Sequence, residues 1–358
     1  MLGAAAARIR VIGASTPVNL GAEVARLAAA WARAGAEAPR FVYGAAADHG
    51  ALREALEGAA ARIEGEGEIG AIYAARAREL ALEAAICEAA GGPGYWEAAR
   101  RRYAARDGFD GEADTLAAAW LEAPTGDAPA RACSLVRSDD ERAPGSLLSR
   151  MREEVGARRL PVRVVVVDIA PLAATGDGAI QVAAGRLVTR EDVERTVLHE
   201  IEGHAAPAAR AAGLRPGIFA IGTARGADDQ EGRALAIERA AGFLAGGRRR
   251  ELALRHAAAR SVERGADFVE TARMLAAHGA PSVPDALRIA ARVHRGGGLG
   301  REVVYLPALL RVEAALLARP ALAAVLGAGR VSVEAAPTLA RWACGPGRAI
   351  KRASRSSI

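Results

Sequence analysis

Residues 189–213 read TREDVERTVLHEIEGHAAPAARAAG, and the fold is decided by how this stretch is read. Thr189 offers an N-cap, with Asp192 three residues on as its reciprocal partner, and Gly213 offers a stop. One helix is therefore expected from 190 to about 212. Upstream, residues 162–169 (VRVVVVDI) are β-branched and lie between Pro161 and Pro171, which makes them the clearest strand. Residues 179–188 are expected to form a short hairpin turning near Gly185. Downstream, a Gly/Pro loop at 213–227 leads to a helix capped by Asp228 or Asp229 and running to about 245. Further helix is expected to 292, then a turn at 296–298 and a helix around 303–318.

Toward the N-terminus the pattern is helical almost throughout. Pro17 and Asn19 precede Leu20, Val24, Leu27 and Trp31 at helical spacing, and residues 38–43 look extended. Helices follow at about 50–62, 69–90, 94–106 and 112–121, and loop signals are densest at 106–111 and 122–145. The reading is an α+β protein, predominantly helical, with a small β-sheet. A helical N-terminal region covers 1–145, a second region with the HEIEGH motif covers 146–345, and a flexible basic tail covers 346–358.

Of the 358 residues 51% are hydrophobic and 25% charged, enough for a sizeable core and incompatible with global disorder. The net charge of +6 invites a nucleic-acid reading, but the basic residues are dispersed among 42 acids. All but one of the 48 basic residues are arginine, the exception being Lys351, a bias that a GC-rich coding sequence explains equally well. Cys87, Cys133 and Cys344 stand too far apart for a cysteine zinc site, and their odd number argues against a disulfide framework. No signal peptide and no apolar run of membrane-spanning length is evident, so the expectation is a cytoplasmic protein with neither nucleic acid nor membrane as partner.

His199 and His204 are two of only six histidines, five residues apart, with Glu200 directly after the first. Zinc-peptidase helices commonly place their histidines four apart, about 40° around the axis. Five apart gives about 140°, too wide for one ion on a regular helix. A one-residue π-type bulge restores a common face, and Gly203 inside the motif makes that distortion cheap. The alternative is an amphipathic helix with two incidental histidines. A catalytic zinc needs a third protein donor and an open position for water. Glu231, in Asp228-Asp229-Gln230-Glu231-Gly232, suits a return from helix to loop to helix; otherwise it is a capping partner of Asp228. Glu200 is then free to act as general base. Glu238, seven residues after Glu231, is either an outer partner of a ligand histidine or, more commonly, a solvated helix charge. His49, His256 and His278 read as surface or packing residues.

With these motifs in place the sequence resembles the tyrosine carboxypeptidase-like zinc peptidases, which include the microtubule-associated tyrosine carboxypeptidases and bacterial proteins named for a QEGLA motif. HEIEGH stands where the family has HEIGTH, and Gln230-Glu231-Gly232-Arg233-Ala234 where it has QEGLA. Arg292-Val293-His294-Arg295-Gly296-Gly297 is similar to its RxFRGG stretch, and Arg301-Glu302-Val303-Val304-Tyr305-Leu306 to its KDVVYL stretch. Pro17-Val18-Asn19-Leu20 and the Pro39, Phe41, Tyr43 series resemble its P-x-N-L and P-x-F-x-Y elements. The departures are Glu202-Gly203 for Gly-Thr, Arg233 for Leu, His294 for Phe and Arg301-Glu302 for Lys-Asp.

The resemblance implies Zn²⁺ held by His199, His204 and Glu231, Glu200 as catalytic base, and removal of a C-terminal residue, aromatic in the eukaryotic members, from a peptide or protein. By analogy it also implies a gluzincin-like metallopeptidase core. A carboxypeptidase must meet the substrate's terminal carboxylate with a cation. Arg295 is the first choice, beside the 296–298 glycine run, with Arg292 and Arg301 as alternatives. Tyr305 is the expected donor to the developing oxyanion, and His294 a weaker one. A zinc endo- or aminopeptidase with the same core, and a regulator that keeps zinc for structure alone, are the alternatives.

Overall fold

The computed structural model describes residues 1–103, 108–123, 135–169, 171–298 and 301–343. The basic tail, Cys133 and Cys344 lie outside these residues. The protein is mostly helical, with two small sheets, and in this respect the α+β reading holds. The N-terminal helices Leu20–Ala34, Gly50–Ile63, Gly67–Glu88, Tyr95–Tyr103 and Phe109–Glu122 lie within a few residues of the spans read from periodicity, and two short ones not expected from the sequence, Leu2–Arg8 and Val11–Ser15, precede them. No helix among the described residues is long and apolar enough to cross a membrane.

The clearest strand forms over Arg163–Val167, parallel to Ala179–Ala183, which also pairs antiparallel with Ala173–Gly176. It is an edge strand, and the less conspicuous Ala179–Ala183 takes the centre. The expected hairpin around Gly185 does not form. Asp177 and Gly178, at φ 55° and 70°, make the tight turn instead, between Gly176 and Ala179. Two consecutive positive φ angles are what a two-residue hairpin turn demands, and Asp-Gly supplies them. Leu187–Val188 pairs with Val136–Arg137 in a separate two-stranded sheet.

The helix of the opening stretch begins as expected: Thr189 Oγ1 accepts from Asp192 N at 3.1 Å, and Asp192 Oδ2 accepts from Thr189 N at 3.2 Å. Its Val193, Val197, Ile201 and Ala205 pack on Ile180 and Val182 of the sheet and on Leu147, Leu148 and Met151 of the helix Leu147–Ala157. Removing each large apolar side chain from water stabilises this arrangement by about 1.5–3 kcal/mol. The opposite face, with both histidines, is left for the helix Gly226–Ala240.

That second helix starts earlier than expected, and neither aspartate caps it. Arg225, at φ 59°, occupies the N-cap position. Asp228 lies within the first turn and takes the buried guanidinium of Arg102 at 2.9 Å, while Asp229 takes Arg311 and the Val333 amide. Glu231 is therefore no capping-box partner. The helix is clamped from both sides by glycine contacts. A Cβ at Gly203 would stand 2.7 Å from Ala234 Cβ, and one at Gly232 would stand 2.4 Å from the Ala308 carbonyl of the helix Tyr305–Ala318. The glycines of both motifs thus mark places where helix backbones cross at close range.

Candidate metal centre

The helix is regular over Arg190–Leu198, becomes a π-helix over His199–Ala205, and resumes over Ala206–Ala212. This is the distortion the five-residue spacing requires. The amide of Ala206 reaches Ile201 O, one residue further back than in an α-helix. The next amide would serve Glu202 O, but residue 207 is proline and has no N–H. Arg233 Nη1 donates to that carbonyl at 2.8 Å instead. Arg233, where the family tends to have Leu, thus satisfies a carbonyl freed by the bulge. The Glu202 carboxylate turns away and pairs with Arg158.

The bulge brings the donors together. His199 Nε2 and His204 Nε2 are 3.3 Å apart, and Glu231 Oε2 lies 3.6 and 3.8 Å from them. One ligand atom from each of the three residues lies within 4.8 Å of the others. The other ring nitrogens are occupied: His199 Nδ1 with Glu238 Oε1 at 2.6 Å, and His204 Nδ1 with Gln230 Oε1 at 3.0 Å. Both acceptors call for Nδ1–H, so the two Nε2 lone pairs point at one place beside a carboxylate. Such a group of donors needs a cation. Burial works against charge on His199, yet the hydrogen bonds to Glu231 and Glu238 outweigh it and raise its pKa to about 9. Burial likewise opposes ionisation of Glu231, but the charges of His204, His199 and Arg301 hold it well below the usual carboxylate range. Glu238 is fully buried and is held at about 2 against burial by His199 and by Arg248, whose Nε and Nη2 donate to it at 2.9 Å.

Nitrogen and carboxylate donors on a common point suit a zinc ion, for which tetrahedral bonds of about 2.0–2.1 Å put neighbouring donors roughly 3.3 Å apart. The donor set therefore fits the metal implied by the sequence. Glu200, 6% exposed, is not among the three clustered donors; its Oε2 accepts from Thr175 Oγ1 at 2.8 Å, on the edge strand Ala173–Gly176.

Beyond Glu231 lies a group of arginines. Glu302, 1% exposed, is surrounded by Arg255, Arg292 and Arg295. Arg301 Nη2 donates to Glu231 Oε1 at 3.4 Å, and its Nη1 and Arg292 Nη2 reach the Tyr305 hydroxyl at 3.3 and 3.4 Å. Arg292, Arg301 and Tyr305 thus come together beside the donors. Arg295 is shut in: its Nε is buried without a partner, and burial with the neighbouring Arg292 lowers its pKa to about 10. His294 turns elsewhere, with its Nε2 2.8 Å from Thr271 Oγ1 and its ring against Phe268, and burial lowers its pKa to about 4. His256 is a packing residue paired with Asp114, His49 is buried, and His278 is exposed near Met274 O.

Sequence reasoning missed Gln230, Arg248 and Thr175; of the two readings open for Glu238, partner of a ligand histidine and the commoner solvated charge, the structure has the first. Gln230 and Glu238 stand one before and seven after Glu231, which puts both on the side of the helix that meets the histidines. Nothing in the sequence links Thr175 or Arg248 to the motif, since that contact is made only by the fold.

A mainly helical protein with two clustered histidines on a π-bulged helix and a glutamate facing them from the helix Gly226–Ala240 is the class that fold and site define. The sequence pattern of the microtubule-associated tyrosine carboxypeptidases matches residues 31–344, and the chain belongs to that family. No match was found among curated proteins.

Proposed function

We propose that the protein is a zinc metallocarboxypeptidase that removes a C-terminal residue from a peptide or protein. The observation that carries this reading is the convergence of two imidazole lone pairs and the Glu231 carboxylate, each imidazole fixed from behind by Glu238 or Gln230. His199, His204 and Glu231 hold the metal, on a helix arrangement akin to the gluzincin core. Zinc, when bound, supplies Lewis acidity toward a water and toward the scissile carbonyl.

The protein's own groups do the rest. Glu200, fixed by Thr175, accepts the proton of the attacking water and returns it to the leaving amine. The Tyr305 hydroxyl, held between Arg292 and Arg301, donates to the oxygen that gains charge as the carbonyl becomes tetrahedral. The surplus of arginines over carboxylates gives this side of the centre a positive field, which favours a substrate end carrying a free carboxylate.

Two variants test the assignment on blocked peptides varied at the last residue and read by mass spectrometry. Glu200→Gln is expected to keep stoichiometric zinc and lose roughly 10²–10⁴-fold in turnover. His204→Ala is expected to lose the zinc. Wild-type turnover in the first, or full zinc in the second, overturns the corresponding role. Release of internal fragments in place of the last residue would mark an endopeptidase.

A further inference from the structure

A carboxylate-binding cation must be accessible and uncommitted, and the arginines beside the centre are already committed. Arg255, Arg292 and Arg295 are engaged with Glu302, and Arg301 with Glu231. Arg330 differs from them. Residues 326–332 are all buried except this one, so a closed loop presents a single exposed side chain. Its guanidinium has no hydrogen-bond or ion-pair partner among the described residues.

The backbone of Arg330 is fixed against the head of the helix that carries Glu231. Its carbonyl accepts from Thr223 N at 2.9 Å. A Cβ at Gly226 would stand 2.0 Å from that carbonyl oxygen, and one at Gly222 would stand 3.1 Å from Arg330 Cβ. Glycine at 222 and 226 is therefore what allows Arg330 to sit there. Glu231 follows Gly226 by five residues, about 7.5 Å along the helix. That distance is comparable to the reach of an arginine side chain. Desolvation and the like charges of Arg76 and Arg301 lower the pKa of Arg330, against the attraction of Glu83 and of Glu231, so its charge is felt at the centre.

We propose that Arg330 is the residue that binds the α-carboxylate of the substrate's C-terminal residue. Its planar fork takes both carboxylate oxygens, while Arg301 keeps its contact with Glu231. This inference rests on the carboxypeptidase reading and assigns a role in it that Arg295 was expected to fill.

The test uses blocked hexapeptides varied at the last residue, each as free acid and as amide, with wild type, Arg330→Gln and Arg330→Lys. Arg330→Gln is expected to raise KM for free acids about 10–100-fold, with kcat within threefold and zinc content unchanged. Arg330→Lys should recover part of that loss. In parallel, phenylglyoxal labelling of wild type is mapped by mass spectrometry, and Arg330 should be protected by the free acids but not by the amides. If wild type removes terminal residues and Arg330→Gln does so with unchanged KM, this assignment falls while the carboxypeptidase reading stands. If wild type removes none, that reading falls and labelling decides: protection by free acids alone keeps Arg330 as a carboxylate site, and no protection overturns it.

Discussion

His294 stands where the family tends to have Phe, and its ring lies between Thr271 Oγ1 and Phe268. Burial lowers its pKa to about 4, against about 6.5 for an unfolded histidine. Between those values the unfolded chain binds a proton that the folded one does not, so stability falls as pH drops from about 6.5 toward 4. The loss attributable to this ring is on the order of 2–3 kcal/mol. His294→Phe should flatten that part of the profile, measured as the difference in denaturant midpoint between pH 7 and pH 5. An unchanged difference would mean that other groups govern the acid limb. The same residue shows where reading by position stops. Its neighbours Arg292 and Arg295 both face Glu302, but a helix end turns each successive side chain by about 100°, and His294 lands on the other side. Glu231 was legible because a metal chemistry with two histidines already in hand demands a third donor. Gln230 was not, because an amide that fixes an imidazole from behind carries no demand of its own until the ring is placed.

At the scale of elements, the five-residue spacing of the histidines predicts the π-bulge, and the structure has it over His199–Ala205. The role of Gly203 is different from the one the sequence suggests. Its value lies less in backbone freedom than in letting the Ala234 methyl approach, because a Cβ there would meet it at 2.7 Å. Gly203→Ala should therefore destabilise by about 1–3 kcal/mol and push the two helices apart, with weaker zinc binding. Ala234→Gly in the same chain makes room for the new methyl. The double variant should recover zinc affinity and most of the stability lost in Gly203→Ala, less the usual cost of about 1 kcal/mol for a helical glycine. Strict additivity of the two changes would show that Gly203 acts through its own backbone instead. The hairpin was misplaced for a comparable reason. Gly185 and Gly178 both adopt positive φ, at 65° and 70°, and only the second is preceded by a residue, Asp177, that also does so. An Asp-Gly pair is a stronger turn signal than an isolated glycine.

At the scale of the whole molecule, the centre is held from the N-terminal half of the chain. Asn19 binds the backbone of Arg40 and Val42, which fixes the segment 38–43. Tyr43 at its end accepts from Gly296 N at 2.8 Å, and Gly296 lies so close to Tyr95 that a Cβ would stand 2.3 Å from the ring. The separate sequence motifs therefore meet in space: the early Pro/Asn/Phe/Tyr elements seat the glycine run that follows Arg295. Trp120, Ala113 and Ala117 share a core with Leu235, Leu252 and Tyr305, so the two halves of the chain also bury each other's apolar surface. The most concentrated link is Arg102. Buried itself, it joins Glu79, Glu83 and Asp228, and Asp228 lies one turn before Glu231 on the same helix. Arg102→Met would leave Asp228 and Glu79 as buried carboxylates with that cation removed. A loss of about 3–5 kcal/mol in unfolding free energy is expected, because an uncompensated buried charge costs more than the pair contributes. Adding Asp228→Asn should recover a substantial part of it by removing one stranded charge. Zinc affinity measured by competition with a chelator should fall in Arg102→Met and return in the double variant, since the first turn of the Glu231 helix is what the stranded charge would distort. Full stability in Arg102→Met would show that the first turn is held by Arg311 on Asp229 and by the Thr223 contacts, and that the N-terminal half supports the centre through Tyr43, Tyr95 and the Trp120 core without this ion pair.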